Sequence, residues 1–230
     1  MSDKTSATNK PATTNKVMGR PVDTTKSAMI LDAARHEFFN IGFAQSSIES
    51  IAARAGVSKV TVYNRFKTKE NLFTEAVGNE CAVMRQALSA EATSGGNIRE
   101  RLVHFGMEMV AFLWRDEMVR FERHLAVEVE HNPEIGLLFL EAGPRRLHQA
   151  LSHLLDQAVL AGELQIDDTE QAAEHLSGMI KGMADLERRF GANISQAKIP
   201  DPKAKKRVNS AVDLFLKSYG NENTKLAKSS

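Results

Sequence analysis

A single cysteine among 230 residues, Cys81, excludes an intrachain disulfide framework and suits a reducing compartment. No apolar run approaches the roughly 20 residues that a membrane helix requires, and the N-terminus lacks the apolar centre of a secretion signal. The chain therefore reads as cytoplasmic, with no membrane partner. It also has no Gly-rich phosphate loop, no nucleophile elbow and no paired-acid constellation, so it reads as neither an enzyme nor a cofactor binder. Cys81 falls on an apolar helical stripe, where a buried, unreactive thiol is expected.

Hydrophobic residues at 42% and charged residues at 26% describe an ordinary globular chain, long enough for a small domain and a medium one. The net charge of +1 conceals an asymmetry. Residues 1–76 hold 11 basic and 7 acidic side chains, whereas the rest hold 19 and 22. The basic excess sits at the end where a polyanion would have to bind.

That end contains the segment SSIESIAARAGVSKVTVYNRF, Ser46 to Phe66, which reads as two short helices around a glycine turn. Ser46 with Glu49 has the spacing of a capping box at a helix start. Ile48, Ile51, Ala52 and Ala55 recur at helical steps and form one buried face. Gly56 supplies the left-handed residue that ends the helix, and Ser58 can cap the next one. In that second helix Val62 and Phe66 face inward. Lys59, Val60, Thr61, Tyr63, Asn64 and Arg65 are left for groove edges and phosphates.

The run Ile51-Ala52-x-x-Ala55-Gly56-Val57-Ser58-Lys59-x-Thr61-x-Tyr63-x-x-Phe66-x-x-Lys69-Glu70-x-Leu72 follows Ile30-Leu31-x-Ala33-Ala34 and Phe38-x-x-x-Gly42-Phe43. Together they closely resemble the DNA-binding domain of the TetR family of bacterial transcriptional regulators. The segment from Phe121 to about Gly182 further resembles the C-terminal domain of its AefR-like subgroup, at His131-Asn132-Pro133-Glu134, Phe139 to Pro144 and Ala161 to Leu164. The resemblance implies an all-α homodimer: three N-terminal helices bind operator DNA, and a larger helical domain binds a small effector and carries the dimer interface. It further implies that Tyr63 and Lys69 touch phosphates. Where many members have Gly after the Ser-Lys pair this chain has Val60, so base preference there does not carry over.

The organisation expected is a disordered basic arm over 1–24, the DNA-binding domain over 25–72 with its motif at 46–66, an effector and dimerisation domain over 73–220, and a tail over 221–230. Within the arm, Gly19-Arg20-Pro21 could lay Arg20 into a narrow minor groove. The expected DNA contacts are Arg20, Ser46, Ser58, Lys59, Val60, Thr61, Tyr63, Asn64, Lys67 and Lys69. Val60, Thr61 and Asn64 are the candidates for base edges, while Lys67 adds charge.

A first helix is expected over about Lys26 to Ile41, with Leu31, Ala34, Phe38 and Ile41 on one stripe. A fourth helix starts after Thr68, carries Phe73, Val77, Cys81, Met84 and Leu88 inward, and runs to the Ser94-Gly95-Gly96 breaker, spanning the domain junction. Helices follow from about Ile98, through Met118 to Val129, over Pro133 to Glu141, from Pro144 to about Ala161, over Thr169 to Phe190 and over Lys203 to Tyr219. An apolar or aromatic effector would meet Met107, Trp114, Phe121, Leu125, Phe139, His148, Met179 and Met183. The resembled family dimerises through its last two helices, here offering Gly178, Gly182, Val208, Val212, Phe215 and Tyr219.

Two alternatives stand beside the effector-released repressor. Glu128 and His131 have the Glu-x-x-His spacing of a metal-dependent helical enzyme, although no second such motif accompanies them. The chain could also bind DNA without any effector.

Overall fold

The computed structural model describes residues 24–86, 88, 96–191 and 202–221. They form α1 (Thr24–Asn40), α2 (Ile48–Ala55), α3 (Lys59–Phe66), α4 (Lys69–Gln86), α5 (Ile98–Leu113), α6 (Asp116–His131), α7 (Pro133–Ala142), α8 (Pro144–Leu160), α9 (Thr169–Phe190) and α10 (Pro202–Tyr219). An isolated antiparallel bridge, Leu164 to Gly220, ties the end of α10 to the turn before α9. The fold is all-α, as expected. Arg20 and nearly all of the predicted arm, Ser94 and Gly95 of the predicted breaker, and the tail beyond Asn221 lie outside the described residues.

Local signals decide most helix ends. Gly56 adopts φ +66° and closes α2, and the Ser58 side chain accepts the Thr61 N–H at the start of α3. Thr68 Oγ1 accepts the Asn71 N–H at the head of α4. Asn97 and Glu100 form a reciprocal capping box on α5. At α2 the expected cap is displaced by one residue. Ser47, not Ser46, caps the helix, with Ser50 rather than Glu49 as its reciprocal partner. Ser50 Oγ also donates to the buried carboxylate of Glu37 on α1, a bond between helices that selects this frame. Helix α4 ends at Gln86, with Leu88 in a turn, earlier than the expected breaker.

Two apolar cores fill the molecule. The first joins the buried faces of α1 to α4 with Met118, Phe121 and Leu125 of α6 and Ile135 and Ala142 of α7. The second holds α5, α8, α9 and α10 together with Met84 and Leu88. Helix α4 therefore changes cores along its length: Phe73, Val77 and Cys81 lie in the first, Met84 in the second. The DNA-binding unit does not close its own core but completes it against α6, where Phe39 stacks on Phe121 with ring centroids 4.1 Å apart.

Polar contacts follow the same seam. Arg35 pairs with Glu117 and Glu80, Arg115 pairs with Glu80, and Glu128 Oε1 accepts the Ala44 N–H at 2.8 Å. Glu128 thus anchors the corner after α1, where Gly42 adopts φ +102°. Its Oε1 would lie 2.8 Å from any Cβ placed on Gly42.

The stripe of α10 is a correction to the expected interface. Val208, Val212 and Phe215 are buried in the second core of their own protomer. Gly106 of α5 makes this possible, since a Cβ there would meet Val208 Cγ1 at 2.6 Å. Around Gly178, by contrast, space is open, and Gly182 breaks the line of α9 with φ +51° and ψ −156°. Tyr219 is half-buried, its hydroxyl 3.1 Å from His175 Nδ1.

Candidate functional site

Helix α3 stands on a base that restricts its motion. Val62 and Phe66 anchor it in the first core, and the Val57 N–H donates to Ala52 O across the turn. Arg65 Nη1 donates to Ser27 Oγ of α1 at 2.6 Å. The outward surface then presents Lys59, Val60, Tyr63, Asn64 and Lys67, while Thr61 is half-buried. Hydrogen-bonding capacity is unevenly available there. Thr61 Oγ1 lies 2.9 Å from Ser58 Oγ, so both hydroxyls have a partner within the helix cap. Lys59 pairs with Glu49 and sits over the Tyr63 ring at 5.5 Å. That pairing raises the Lys59 pKa, although both side chains remain about half exposed. Lys67, with φ +66°, donates from Nζ to Asn64 O.

Two of the expected DNA contacts have partners within the protein itself. Ser46 is only 4% exposed and donates its hydroxyl to Gly42 O at 2.6 Å, so it belongs to the α1–α2 corner and not to the outer surface. The Lys69 ammonium lies 4.4 Å from the Phe43 ring centroid. Burial pulls its pKa below the usual lysine range, against the opposing pull of Glu128 and Glu70. Both residues hold the corner that presents α2 and α3.

A cavity of about 980 Å³ opens where the two cores meet. Phe39, Cys81, Met118 and Phe121 line it from the first core, and Met84, Phe105 and Met109 from the second. Its size falls in the range of sites for drug-sized molecules. Glu122 and Arg189 stand together at its wall, 3.5 Å apart, and Glu122 also accepts from the buried Arg188 at 2.9 Å.

Of the residues expected to meet an effector, Phe121, Phe139 and His148 line this cavity. The others do not. Met107, Trp114 and Met179 pack onto the second core from half-buried positions, and the Arg207 guanidinium covers the Trp114 ring at 5.1 Å. Leu125 is buried in the first core, and Met183 is 68% exposed. Reasoning from the sequence missed Phe39 and assigned Cys81 to plain core. The α4 stripe holding Val77, Cys81 and Met84 was visible, but nothing local says that two cores leave space beside it. Burial pushes the Cys81 thiol up to about 11, so it is protonated near neutrality.

The Glu128 and His131 pair is engaged elsewhere. Glu128 takes the Ala44 N–H, and His131 Nδ1 lies 3.1 Å from Val127 O. Among the described residues no group of three or more His, Cys, Asp or Glu side chains is placed to hold a metal ion. None of the described helices is long and apolar enough to cross a membrane.

Comparison with known proteins accounts for both halves. Residues 30–76 match the family described as bacterial regulatory proteins, tetR family, and residues 100–221 match the AefR-like transcriptional repressor, C-terminal domain. The HTH-type transcriptional regulator YezE of Bacillus subtilis is 26% identical over 150 residues, covering 64% of this chain and 77% of that protein. A TetR-family regulator from Mesorhizobium loti superposes with a TM-score of 0.72 at 26% identity, over 86% of this chain and 98% of that one. The flavonoid-responsive regulator FrrA superposes with a TM-score of 0.66 at 27% identity, over 86% and 99%.

Proposed function

The chain belongs to the TetR family of bacterial transcriptional regulators, and from that premise we propose that it is a cytoplasmic repressor released from its operator by an apolar or aromatic molecule. The family consists of DNA-binding regulators that act as dimers, not of enzymes. The observation that carries the effector reading is the position of the cavity. One of its walls is the stack of Phe39, from the first DNA-binding helix, on Phe121 of α6. A molecule entering there touches the DNA-binding unit directly.

Operator binding requires the two α3 helices of a dimer to reach successive major-groove faces about 34 Å apart. An effector that parts the Phe39–Phe121 stack shifts α1 against α6 and alters that spacing. Its power equals its differential affinity for the two arrangements. Weakening operator binding a hundredfold means that the effector binds the operator complex a hundredfold more weakly, about 2.7 kcal/mol. A drug-sized cavity with an aromatic wall supports the aromatic class, and so does the similarity to a regulator named as flavonoid-responsive.

Cys81 provides the test. At mildly alkaline pH, where enough of the Cys81 thiolate forms to react, a flavonoid or other hydrophobic compound that releases a labelled operator should also slow alkylation of Cys81 by a small maleimide, because both occupy the same cavity. A compound that releases DNA while leaving the Cys81 rate unchanged would remove the effector from this cavity.

For the dimer interface we propose the exposed apolar side chains of the last two helices, notably Leu186 at 48% and Leu214 at 52% exposure. Leu186→Asp and Leu214→Asp should each yield folded monomers in sedimentation at low micromolar concentration, since charge in a dry contact costs several kcal/mol. Phe215→Asp should instead unfold the protomer, its ring being 1% exposed. Wild-type dimerisation by both leucine variants would put the interface elsewhere.

A further inference from the structure

Among the exposed large side chains of α2 and α3, one has no polar atom to offer DNA. Val60 is 66% exposed in the first turn of α3, the end of a recognition helix that faces base edges. Among the described residues of α2 and α3, the other exposed large hydrophobic is Tyr63, which carries a hydroxyl. Around Val60 the polar groups are already engaged: Lys59 with Glu49, and Thr61 with Ser58. Asn64, one turn further along, is exposed on the same ridge.

An isopropyl group pressed against a base edge discriminates in a simple way. Of the groups that the four base pairs display in the major groove, the thymine 5-methyl is the apolar one. A purine edge would have a donor or acceptor stripped of water against Val60 without compensation, and cytosine C5–H would leave the space of the methyl unfilled. We propose that Val60 reads the 5-methyl group of one thymine in each operator half-site. This rests on the reading of α3 as the major-groove helix and adds the base that its first turn selects.

The probe is the operator duplex itself, recovered by selection from a random library on the full-length dimer and resynthesised with each thymine in turn replaced by deoxyuridine. That replacement removes the methyl and leaves base pairing intact. At one thymine per half-site it should weaken binding about fourfold, and about fifteenfold when both half-sites are changed, the scale of one buried methyl group. Val60→Ala should bind the thymine and deoxyuridine duplexes alike. The proposal fails if wild-type protein shows no methyl-dependent thymine, or if the dependence persists in Val60→Ala. Asn64→Ala separates the two layers. If it binds the selected duplex as tightly as wild type, the assignment of α3 to the groove fails and the proposal falls with it. If it binds more weakly while deoxyuridine has no effect, the Val60 assignment alone is overturned.

Discussion

Phe121→Ala is expected to lower the unfolding free energy by about 3 to 5 kcal/mol, the usual cost of emptying a buried aromatic site. The ring is 3% exposed, stacks on Phe39 at 4.1 Å and meets Phe139 edge-on at 5.5 Å. Its partners belong to α1 and α7, which cannot both follow it inward. The more discriminating expectation concerns where stability is lost. Because the first core unites α1 to α4 with α6 and α7, hydrogen exchange should speed up at the α2 and α3 amides although Phe121 lies outside the DNA-binding unit. Phe121→Leu, which keeps most of the volume, should cost much less. If Phe121→Ala leaves exchange in α2 and α3 at the wild-type rate, the DNA-binding unit has an independent core and the shared one is wrong.

Asn64→Ala is expected to weaken the true operator by about 1 to 3 kcal/mol per base contact, while random duplex is bound nearly as well as before. The exposed amide can pair with two atoms of an adenine edge, whereas Thr61 beside it has its hydroxyl within 2.9 Å of Ser58. Lys67→Ala is the contrasting variant. A charge that serves only phosphates predicts equal affinity losses on both DNAs and a salt slope flattened by about one. The comparison is an anisotropy titration of each variant on operator and random duplex at several salt concentrations. Equal losses on both DNAs for Asn64→Ala would take it out of base readout.

Raising the pH should expose the buried thiol in the stability curve. A thiol whose folded pKa is about 11 stabilises the fold fully below its unfolded value near 8.5, and that contribution is lost as pH rises towards 11. Cys81→Ala should remove this alkaline component.

Where a structural feature depends on residues three or four apart, it was legible in the chain. The α2–turn–α3 unit follows from Gly56, Ser58 and two inward pairs of side chains, and α9 spans Thr169–Phe190 as its spacing indicates. Its Gly182 break was not legible, because a glycine marks where a helix can yield without saying that it does. The N-cap of α2 marks the border of what local reading can decide. Ser46 and Ser47 each have a partner three residues on, and the choice falls to Glu37 on another helix. The stripe Val208-Val212-Phe215 was likewise visible as apolar, but a stripe does not name its neighbour. Gly106 on α5 allows α10 so close that the stripe is consumed inside one protomer. The sequence by itself determined the helices, most of their caps and their inward faces, because each rests on contacts within a turn or two of chain. Only the tertiary structure decided that α6 completes the core of the DNA-binding unit, that Trp114 packs away from the cavity and that Phe39 lines it. A cavity is the space left when two cores fail to tile completely, and that remainder depends on the packing of all their helices together.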